Sequence, residues 1–417
     1  PRLLRLQAVL EGERVPFVQW DRTDKVVIMK NVGARTRPYR MPLRYLVGAV
    51  LLAALTGPAA EPETPAPWMS GHYGVMAFWL YPHFREGDAR PCVDEPVEAF
   101  DLTGFMKDFD ETGADWLLFT LGQNTGAYAS PNSVIDAKCG PGHCPKRDLV
   151  KEIAAAVHAR GKRFLAYLPV DALVPSIAKG MGWTDEDLVR RDFQANWAEV
   201  IREWAVRLGS DLDGWWFDGA GYGRHRYGFD EGRWSAAARA GNPACALSYS
   251  QSLTAWYRDS RGAERLKGVY PETSGDDYLG GEFNILRDAR IWTGVFTVRP
   301  DSTWMPSAAT VPGTRCQVHA VFCLDGFWPC WGVWPEAWKA RVPFAKKLVD
   351  GPYFSKEAMA ALREKGEFPE PFVEYDEFEK FMNAYLGAGG GVTVNVGITP
   401  TGRLNTHSLS YLRRFRR

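Results

Sequence analysis

The amino-acid sequence predicts an α/β protein built around a (β/α)8 barrel of the TIM type. From about residue 70 onward, apolar runs alternate with amphipathic helical segments, and the connections between them are short. This alternation is typical of parallel βαβ units, and about eight such units match one barrel domain with insertions. A doubly wound open sheet is the alternative. It is disfavoured because no Gly-x-Gly-x-x-Gly turn follows the first apolar run, where that fold would bind a nucleotide.

Eight apolar segments are predicted as the strands of this barrel. Residues 214–218 are the clearest, because two tryptophans and a phenylalanine in a row are apolar on both faces, as a buried parallel strand requires. In chain order the eight segments are 72–80, 115–121, 163–169, 214–218, 245–250, 281–286, 317–324 and 391–396.

Amphipathic helices are predicted between these strands at 101–111, 147–160, 193–208 and 377–386. In the third of them, Trp197, Ile201 and Trp204 recur at the spacing that places apolar side chains on one helix face. We expect such faces to cover the outside of the barrel.

Residues 41–60 are predicted to be a secretory signal. Arginines precede an uncharged apolar core at 45–55, and the small residues at 57–59 suit cleavage. The alternative is a buried N-terminal helix. A signal here implies a secreted or periplasmic protein.

The predicted organisation follows from that signal. Residues 1–40 lie upstream of a plausible start at Met41, so we expect them to be absent from the mature protein. Residues 61–69 are Pro-rich and are predicted to be a linker, and residues 70–410 to be the barrel.

The sequence contains seven cysteines, and an oxidising compartment would allow disulfides. Cys139 and Cys144 flank a Gly-Pro-Gly-His loop that is short enough to be closed by a disulfide. The alternative is a zinc site that uses His143, but no second Cys-rich cluster stands at metal-ligand spacing. We therefore expect no metal and no other cofactor.

Charge and composition limit the possible partners. The 50 basic and 50 acidic residues balance, so no net charge favours nucleic acid or an acidic membrane. After the predicted signal, no apolar run approaches the roughly 18 residues of a membrane-spanning helix. Seventeen Trp and 41 Gly suggest an aromatic cleft bordered by Gly-rich loops. The oligomeric state stays open.

Asp218 is the best candidate for a catalytic residue. It ends the predicted strand 214–218, and Gly219 opens a loop directly after it. Barrel enzymes assemble their catalytic groups at the carboxyl ends of the strands, where this carboxylate would lie. Its aromatic neighbours suit a sugar ring, whose C–H faces pack on indole rings. The alternative is a structural Asp that caps the next turn.

Hydrolysis of a glycosidic bond needs a second carboxyl group that stays protonated. Glu282 lies among glycines and aromatic residues, where burial would raise its pKa as a general acid requires. Glu272 is the competing candidate, and either glutamate could instead accept hydrogen bonds from substrate hydroxyls. The sequence has no Gly-x-Ser-x-Gly turn and no His-Glu-x-x-His spacing, so acyl transfer and zinc-dependent hydrolysis have no visible residues to perform them.

Polar and aromatic residues near the other predicted strand ends are expected to bind an oligosaccharide or polysaccharide. Amides, carboxylates and aromatic rings suit a carbohydrate better than a phosphate, which would need Gly-rich turns or clustered Arg and Lys. Alternatives stay open: the tryptophans could be core residues, the amides could cap loops, and the histidine could be a satisfied core residue. The predicted substrate-binding residues are Trp79, Gln123, Asn124, Tyr167, Trp216, Asn284, His319 and Trp331.

Several blocks of the sequence resemble the α-L-fucosidases of glycoside hydrolase family 29 and a group of fucosidase-like bacterial proteins around them. The most specific blocks are Gly214-Trp-Trp-Phe-Asp-Gly219 and Gly390-Gly-Val-Thr-Val-Asn-Val-Gly397. The resemblance covers about residues 70 to 405. It implies a retaining, exo-acting hydrolase in which Asp218 is the nucleophile and Glu282 the acid/base.

Three departures from that family stand out. Phe78 occupies a position where the family usually has a His, and Gln123 and Asn124 replace a His-His pair. In the family these histidines recognise fucose hydroxyls, so their replacement makes a related deoxysugar or a galacto-configured sugar an alternative to fucose. We expect the substrate to be a glycan that carries fucose or such a related sugar. The chain stops at Arg417, so a single catalytic domain is expected, without the family's usual C-terminal β-sandwich. A carbohydrate-binding barrel without catalysis is the alternative function.

Overall fold

The chain divides into two compact units, Pro1–Glu61 and Pro62–Arg417. In the first unit, three strands form an antiparallel sheet: β1 (Phe17–Trp20), β2 (Val26–Lys30) and β3 (Arg37–Tyr39). Residues 41–60, the predicted secretory signal, lie outside the described residues. Besides those three strands, the computed structural model describes residues 64–80, 93–123, 125–170, 174–184, 187, 189–219, 229–249, 253–258, 264–281, 306–325, 368, 370–371 and 374–416.

The second unit is an α/β structure built on a curled, parallel sheet of seven strands. These strands are β4 (Tyr73–Ala77), β5 (Trp116–Thr120), β6 (Arg163–Pro169), β7 (Gly214–Asp218), β8 (Ala246–Ser248), β11 (His319–Cys323) and β12 (Gly391–Val396). Their order in the sheet is β11-β12-β4-β5-β6-β7-β8, so β4 to β8 lie side by side as successive βαβ units require. Two further strands, β9 (Leu253–Arg258) and β10 (Glu264–Tyr270), pair as a separate antiparallel sheet.

Helices connect the strands and share a core with their outward-facing side chains. Several helices begin at an Asp or Asn whose side chain accepts a backbone N–H of the first turn, as at Asp101, Asp148 and Asp230. The described helices are α1 (Asp94–Glu98), α2 (Leu102–Thr112), α3 (Ser133–Cys139), α4 (Leu149–His158), α5 (Pro175–Gly180), α6 (Arg191–Leu208), α7 (Glu231–Ala238), α8 (Tyr375–Gly387) and α9 (Thr406–Phe415).

Alternation along each strand separates the outer core from the interior of the curled sheet. In β7, Trp215 and Phe217 belong to the outer core, whereas Trp216 belongs to an interior cluster with residues such as Leu165 and Val321. Asp218 follows Trp216 by two positions and therefore faces the interior as well.

A short segment, residues 277–281, is hydrogen-bonded at both sides of the sheet, to β8 at one side and to β11 and the residues just before it at the other. The Asp277 N–H donates to the Leu247 carbonyl of β8 at 2.8 Å. On the other side, the Gln317 N–H donates to the Asp277 carbonyl at 2.9 Å, and the Val321 N–H of β11 donates to the Gly281 carbonyl at 3.3 Å. The sixth strand was predicted at 281–286, of which only Gly281 lies in the described residues. The pairing segment therefore begins earlier in the chain than predicted.

Part of the segment predicted as a linker packs against the interior of the sheet. Ala66 and Met69 are fully buried in the interior cluster, and the Trp68 ring meets the Trp116 ring edge-on at 5.6 Å. The Arg163 guanidinium lies 4.9 Å from the centroid of the Trp68 ring. Trp116 and Arg163 each begin a strand, so this segment covers the amino-terminal ends of the sheet.

The predicted disulfide is not formed, since Cys139 and Cys144 are both free thiols. The Cys139 Sγ instead lies 4.0 Å from the carbonyl of Ile177 in α5. Burial raises the pKa of Cys139 to about 11 and that of Cys144 well above its usual value, so both thiols are protonated at neutral pH. In the described ranges, no group of three or more His, Cys, Asp or Glu could hold a metal ion. Nor does any helix within those ranges combine the length and the apolar character needed to cross a membrane.

Candidate functional site

Asp218 is the last residue of β7 and lies at the carboxyl edge of the parallel sheet. Gly219 follows with a φ of 82°, a left-handed conformation that turns the chain away from the strand and that glycine adopts without strain. The side chain of Asp218 is half-buried. A turn of this kind leaves the carboxyl group at the end of the strand, as the sequence predicted.

Two side chains, one on β6 and one in the loop after β5, donate hydrogen bonds to the same oxygen of Asp218. The Tyr167 hydroxyl, from β6, donates to Asp218 Oδ2 at 2.5 Å. Gln123, three residues beyond the end of β5, donates from Nε2 to the same oxygen at 3.3 Å and also to the Tyr167 hydroxyl. Both residues were predicted to bind substrate. In the structure they bind the candidate catalytic carboxylate, and a direct contact with substrate stays a prediction.

Burial and hydrogen bonding act on the Asp218 carboxyl in opposite directions. Burial is the larger effect and raises its pKa above the usual value, because it disfavours the charged form. Hydrogen bonds from Tyr167, Gln123 and the backbone N–H of Gly219 lower the pKa, because they favour the carboxylate. The two donors that converge on Oδ2 therefore help to keep a partly desolvated carboxylate ionised and fixed in orientation.

Aromatic rings frame the Tyr167 side chain inside the sheet. Phe78 meets its ring edge-on, with the centroids 4.9 Å apart, and Trp216 lies 5.2 Å away at a tilt. The Trp216 indole N–H donates to the Gly280 carbonyl at 2.9 Å, and the ring has no exposed surface. Trp216 therefore supports Tyr167, while its predicted contact with substrate stays a prediction. The contact between Phe78 and Tyr167 was not predicted, because the sequence alone does not show which side chains meet across the sheet.

Trp79, another predicted substrate-binding residue, lies in the outer core. Its ring is 1% exposed and packs on Phe100 and Phe119. Its indole N–H donates to the Pro400 carbonyl at 3.1 Å. These contacts match the core alternative considered for the tryptophans, and a role in binding substrate stays a prediction.

His319 does not lie at the carboxyl end of its strand, and that part of the prediction is wrong. It is the first residue of β11 and therefore lies at the amino ends of the strands, whereas Asp218 lies at their carboxyl ends. One ring nitrogen lies 2.9 Å from the Leu279 carbonyl and the other 2.7 Å from the Thr393 hydroxyl. Burial lowers the pKa of His319 to about 4, so the ring is neutral near pH 7. It is a core histidine with both nitrogens satisfied.

Glu272 is buried in the segment that follows β10, beside a second acid. Asp276 accepts the Tyr249 N–H at 2.5 Å and the Thr273 N–H at 2.6 Å. Burial raises the pKa of Asp276 to about 7, and the nearby charge of Glu272 adds to the effect. Tyr249 directly follows β8, the neighbour of β7, so these acids lie near the same carboxyl edge as Asp218. Asp276 was not predicted as a site residue.

Four of the predicted site residues lie outside the described residues. They are Asn124, Glu282, Asn284 and Trp331. Their roles stay predictions.

No known protein family matches the chain by sequence, and no curated protein matches it either. Solved structures of glycoside hydrolase family 107 share its fold. One endo-fucoidan hydrolase of glycoside hydrolase family 107 superposes on 84% of this chain and 92% of its own, with a TM-score of 0.57 and 14% identity. A second enzyme of that kind covers 84% of this chain but only 53% of its own length, with a TM-score of 0.58 and 16% identity. An α-L-fucosidase superposes with a TM-score of 0.45 and 13% identity over 84% of this chain and 97% of its own.

At such low identity the two family 107 matches establish the fold alone. They agree with the predicted α/β class and with a TIM-like arrangement of the sheet. The resemblance of the sequence blocks to glycoside hydrolase family 29 stays a prediction.

Proposed function

We propose that this protein is a retaining glycoside hydrolase that acts on glycans carrying fucose or a related sugar. One observation carries the proposal: a half-buried carboxylate, Asp218, ends β7 and is held there by Tyr167 and Gln123. The rings of Phe78 and Trp216 pack on Tyr167, whose hydroxyl binds this carboxylate, and aromatic side chains are common in sugar sites. The fold shared with endo-fucoidan hydrolases and the sequence blocks similar to α-L-fucosidases support the same substrate class.

Asp218 is the nucleophile in this proposal. Its carboxylate attacks the anomeric carbon, the bond from that carbon to the leaving oxygen breaks, and a glycosyl ester of Asp218 forms. A second carboxyl group gives its proton to the leaving oxygen and then, as a base, takes a proton from the water that hydrolyses the ester. Glu282 and Glu272 are the candidates for that group. The burial of Glu272 near the carboxyl end of β8 supports its candidacy, while Glu282 rests on the sequence alone.

The proposal includes a closed (β/α)8 barrel. Backbone hydrogen bonds from residues 277–281 to Leu247 on one side and to Gln317 and Val321 on the other support closure by this segment. It would occupy the position of the one missing strand between β8 and β11.

The finer properties of the enzyme come from the sequence. Exo action follows from the resemblance to α-L-fucosidases, and a secreted or periplasmic location follows from the signal at 41–60. The two family 107 structures are named as endo-acting enzymes, so the size of the products decides this point. Release of single sugars supports exo action, and release of oligosaccharides supports endo action.

Activity on fucoidan and on 4-nitrophenyl α-L-fucoside tests the function. The wild-type protein should release sugar from at least one of them, and Asp218→Asn should abolish turnover while it leaves the fold intact. Asp110→Asn is the matched control, because Asp110 lies on the surface, 2.7 Å from Arg160 Nε. Normal turnover by Asp218→Asn would remove Asp218 from the nucleophile role. Binding of glycans without any product would favour the non-catalytic alternative.

A further inference from the structure

Three polar side chains inside the sheet, Ser248, Gln317 and Asn395, each have an atom that no hydrogen-bond partner in the described residues reaches. Gln317 precedes β11, at the amino ends of the strands, whereas the other two lie nearer the carboxyl ends. Ser248 and Asn395 are both 0% exposed. Within the described part of the chain, neither Ser248 Oγ nor Asn395 Oδ1 has a hydrogen-bond partner. Folded proteins satisfy most buried polar atoms, and those left over commonly mark a position that a ligand or an ordered water fills.

Ser248 lies beside the candidate catalytic group. It is the last residue of β8 and pairs in register with Trp216 of β7, two residues before Asp218. Its neighbours Leu247 and Tyr249 belong to the outer core, so the Ser248 side chain faces the interior. The Trp216 ring packs on Tyr167, whose hydroxyl binds Asp218. Ser248 therefore lies one inward-facing position below Asp218, on the adjacent strand.

Asn395 faces the same interior from β12. Val394 and Val396 on either side of it belong to the outer core, so Asn395 points inward. Its Nδ2 donates to Cys323 Sγ at 3.5 Å, which leaves Oδ1 as an acceptor. In register it pairs with Met76 of β4, the strand that leads to Phe78, and Phe78 packs on Tyr167. The side chains of Ser248 and Asn395 thus face the same interior of the sheet as Tyr167.

Elsewhere the fold satisfies buried side chains of the same two types. Ser130 is also 0% exposed, and its Oγ donates to Asp148 Oδ1 at 2.8 Å. Asn132 is 0% exposed as well; its Nδ2 donates to the Val200 carbonyl at 3.0 Å and its Oδ1 accepts the Ile135 N–H at 3.2 Å. Buried serine and asparagine with a structural role thus have partners in this protein. Ser248 Oγ and Asn395 Oδ1 differ in that respect.

We propose that Ser248 and Asn395 determine specificity by binding hydroxyl groups of the sugar that reacts with Asp218. A ring hydroxyl can donate to Asn395 Oδ1, and the Ser248 hydroxyl can donate to or accept from a second one. A buried polar atom left without its partner penalises a substrate that lacks the matching hydroxyl, so the two residues select by hydroxyl pattern. This inference rests on the proposed glycoside hydrolase function.

Four variants test the inference through two readouts, melting temperature and steady-state kinetics on fucoidan and 4-nitrophenyl α-L-fucoside. Ser248→Ala and Asn395→Leu remove the two polar atoms, and Ser130→Ala and Asn132→Ala are the matched controls. Ser248→Ala should keep or raise the melting temperature, because it removes a buried group that has no partner in the protein. Both interior variants should raise KM by about 10-fold, as loss of one hydrogen bond to a substrate implies. The controls should lower the melting temperature and leave KM unchanged.

The outcomes separate this inference from the proposed function. If the wild-type protein cleaves either substrate and Ser248→Ala and Asn395→Leu match its KM, the inference is overturned and the function stands. A lower melting temperature with unchanged KM in both interior variants assigns them a structural role and also overturns it. If the wild-type protein neither cleaves nor binds fucoidan or the fucoside, the proposed function fails and this inference fails with it. Ser248→Ala is the more informative variant, since Asn395→Leu changes the shape of the core.

Discussion

The hydroxyl of Tyr167 donates a 2.5 Å hydrogen bond to Oδ2 of Asp218. Tyr167 belongs to β6, and the register of the sheet pairs Pro169 of that strand with Asp218. Tyr167 is two residues before Pro169, so its side chain faces the same interior as Asp218 and reaches the carboxyl group from below. Because this bond lowers the pKa of Asp218, removal of the Tyr167 hydroxyl should change the ionisation of the carboxyl group directly.

Tyr167→Phe should slow turnover by about 10- to 100-fold, the range expected for loss of a hydrogen bond to a charged group. Asp218 attacks as a carboxylate, so the rate falls as the pH drops through its pKa. The bond from Tyr167 lowers that pKa, and without it the acidic limb of the kcat/KM profile should move to higher pH. Tyr375→Phe is the control, because the Tyr375 hydroxyl donates to Glu379 Oε1 on the same helix, α8, at 2.9 Å. An acidic limb that does not move would show that Tyr167 does not influence the charge of Asp218.

Comparison of Glu272→Gln with Glu282→Gln should identify the acid/base. A nitrophenolate is a stable anion and leaves without being protonated. The sugar that leaves when fucoidan is cleaved must be protonated by the acid as the bond breaks. The variant that removes the acid should therefore lose activity on fucoidan much more than it slows formation of the glycosyl ester from 4-nitrophenyl α-L-fucoside. The other variant should affect both substrates alike. If neither variant shows this split, neither glutamate is the acid, and Asp276, whose pKa is raised to about 7, is the next candidate to replace by Asn.

His319→Gln should make the stability of the protein less dependent on pH between about pH 6.5 and pH 4. Burial lowers the pKa of His319 to about 4 in the folded state, against about 6.5 when it is exposed. Between these values the unfolded chain binds the proton and the folded protein does not, so the folded protein is destabilised as the pH falls. The full effect is about 3 kcal/mol in the free energy of unfolding. Denaturant unfolding at a series of pH values measures it.

Val206→Ala is the control for that experiment, because Val206 is 59% exposed and carries no titratable group. This control should retain the slope of the wild-type protein. An unchanged slope in His319→Gln would mean that His319 is not neutral in the folded protein.

The sequence predicted the carboxyl end of β7 and the position of Asp218 there because all the information for it is local. The apolar run ends in Asp and is followed by Gly. This pattern indicates where the strand ends and which residue lies there. The strands β4, β5, β6, β11 and β12 were predicted for the same reason, since each lies within a clear apolar run.

Contacts between distant parts of the chain leave no local signal in the sequence. Residues 277–281 hydrogen-bond to both edge strands of the sheet although Asp277 begins the segment and Asp276 precedes it, and acidic residues do not suggest a strand. His319 was predicted at the carboxyl end of its strand but lies at the amino end. The apolar run around it does not show where pairing with β12 begins. In the same way, nothing near Tyr167 or Gln123 in the sequence indicates that they bind Asp218 rather than substrate.

The identity of the residue that becomes covalently attached to the sugar tests the central claim most directly. A fluorinated substrate, 2-deoxy-2-fluoro-α-L-fucosyl fluoride, slows hydrolysis of the glycosyl ester, so the intermediate should accumulate and be visible by mass spectrometry of peptides. We expect the wild-type protein to gain the mass of one fluorosugar on the peptide that contains Asp218, and the Asp218→Asn variant to gain none. Attachment of the sugar to any other residue, or hydrolysis of fucosides by a protein that never carries it, would contradict the account.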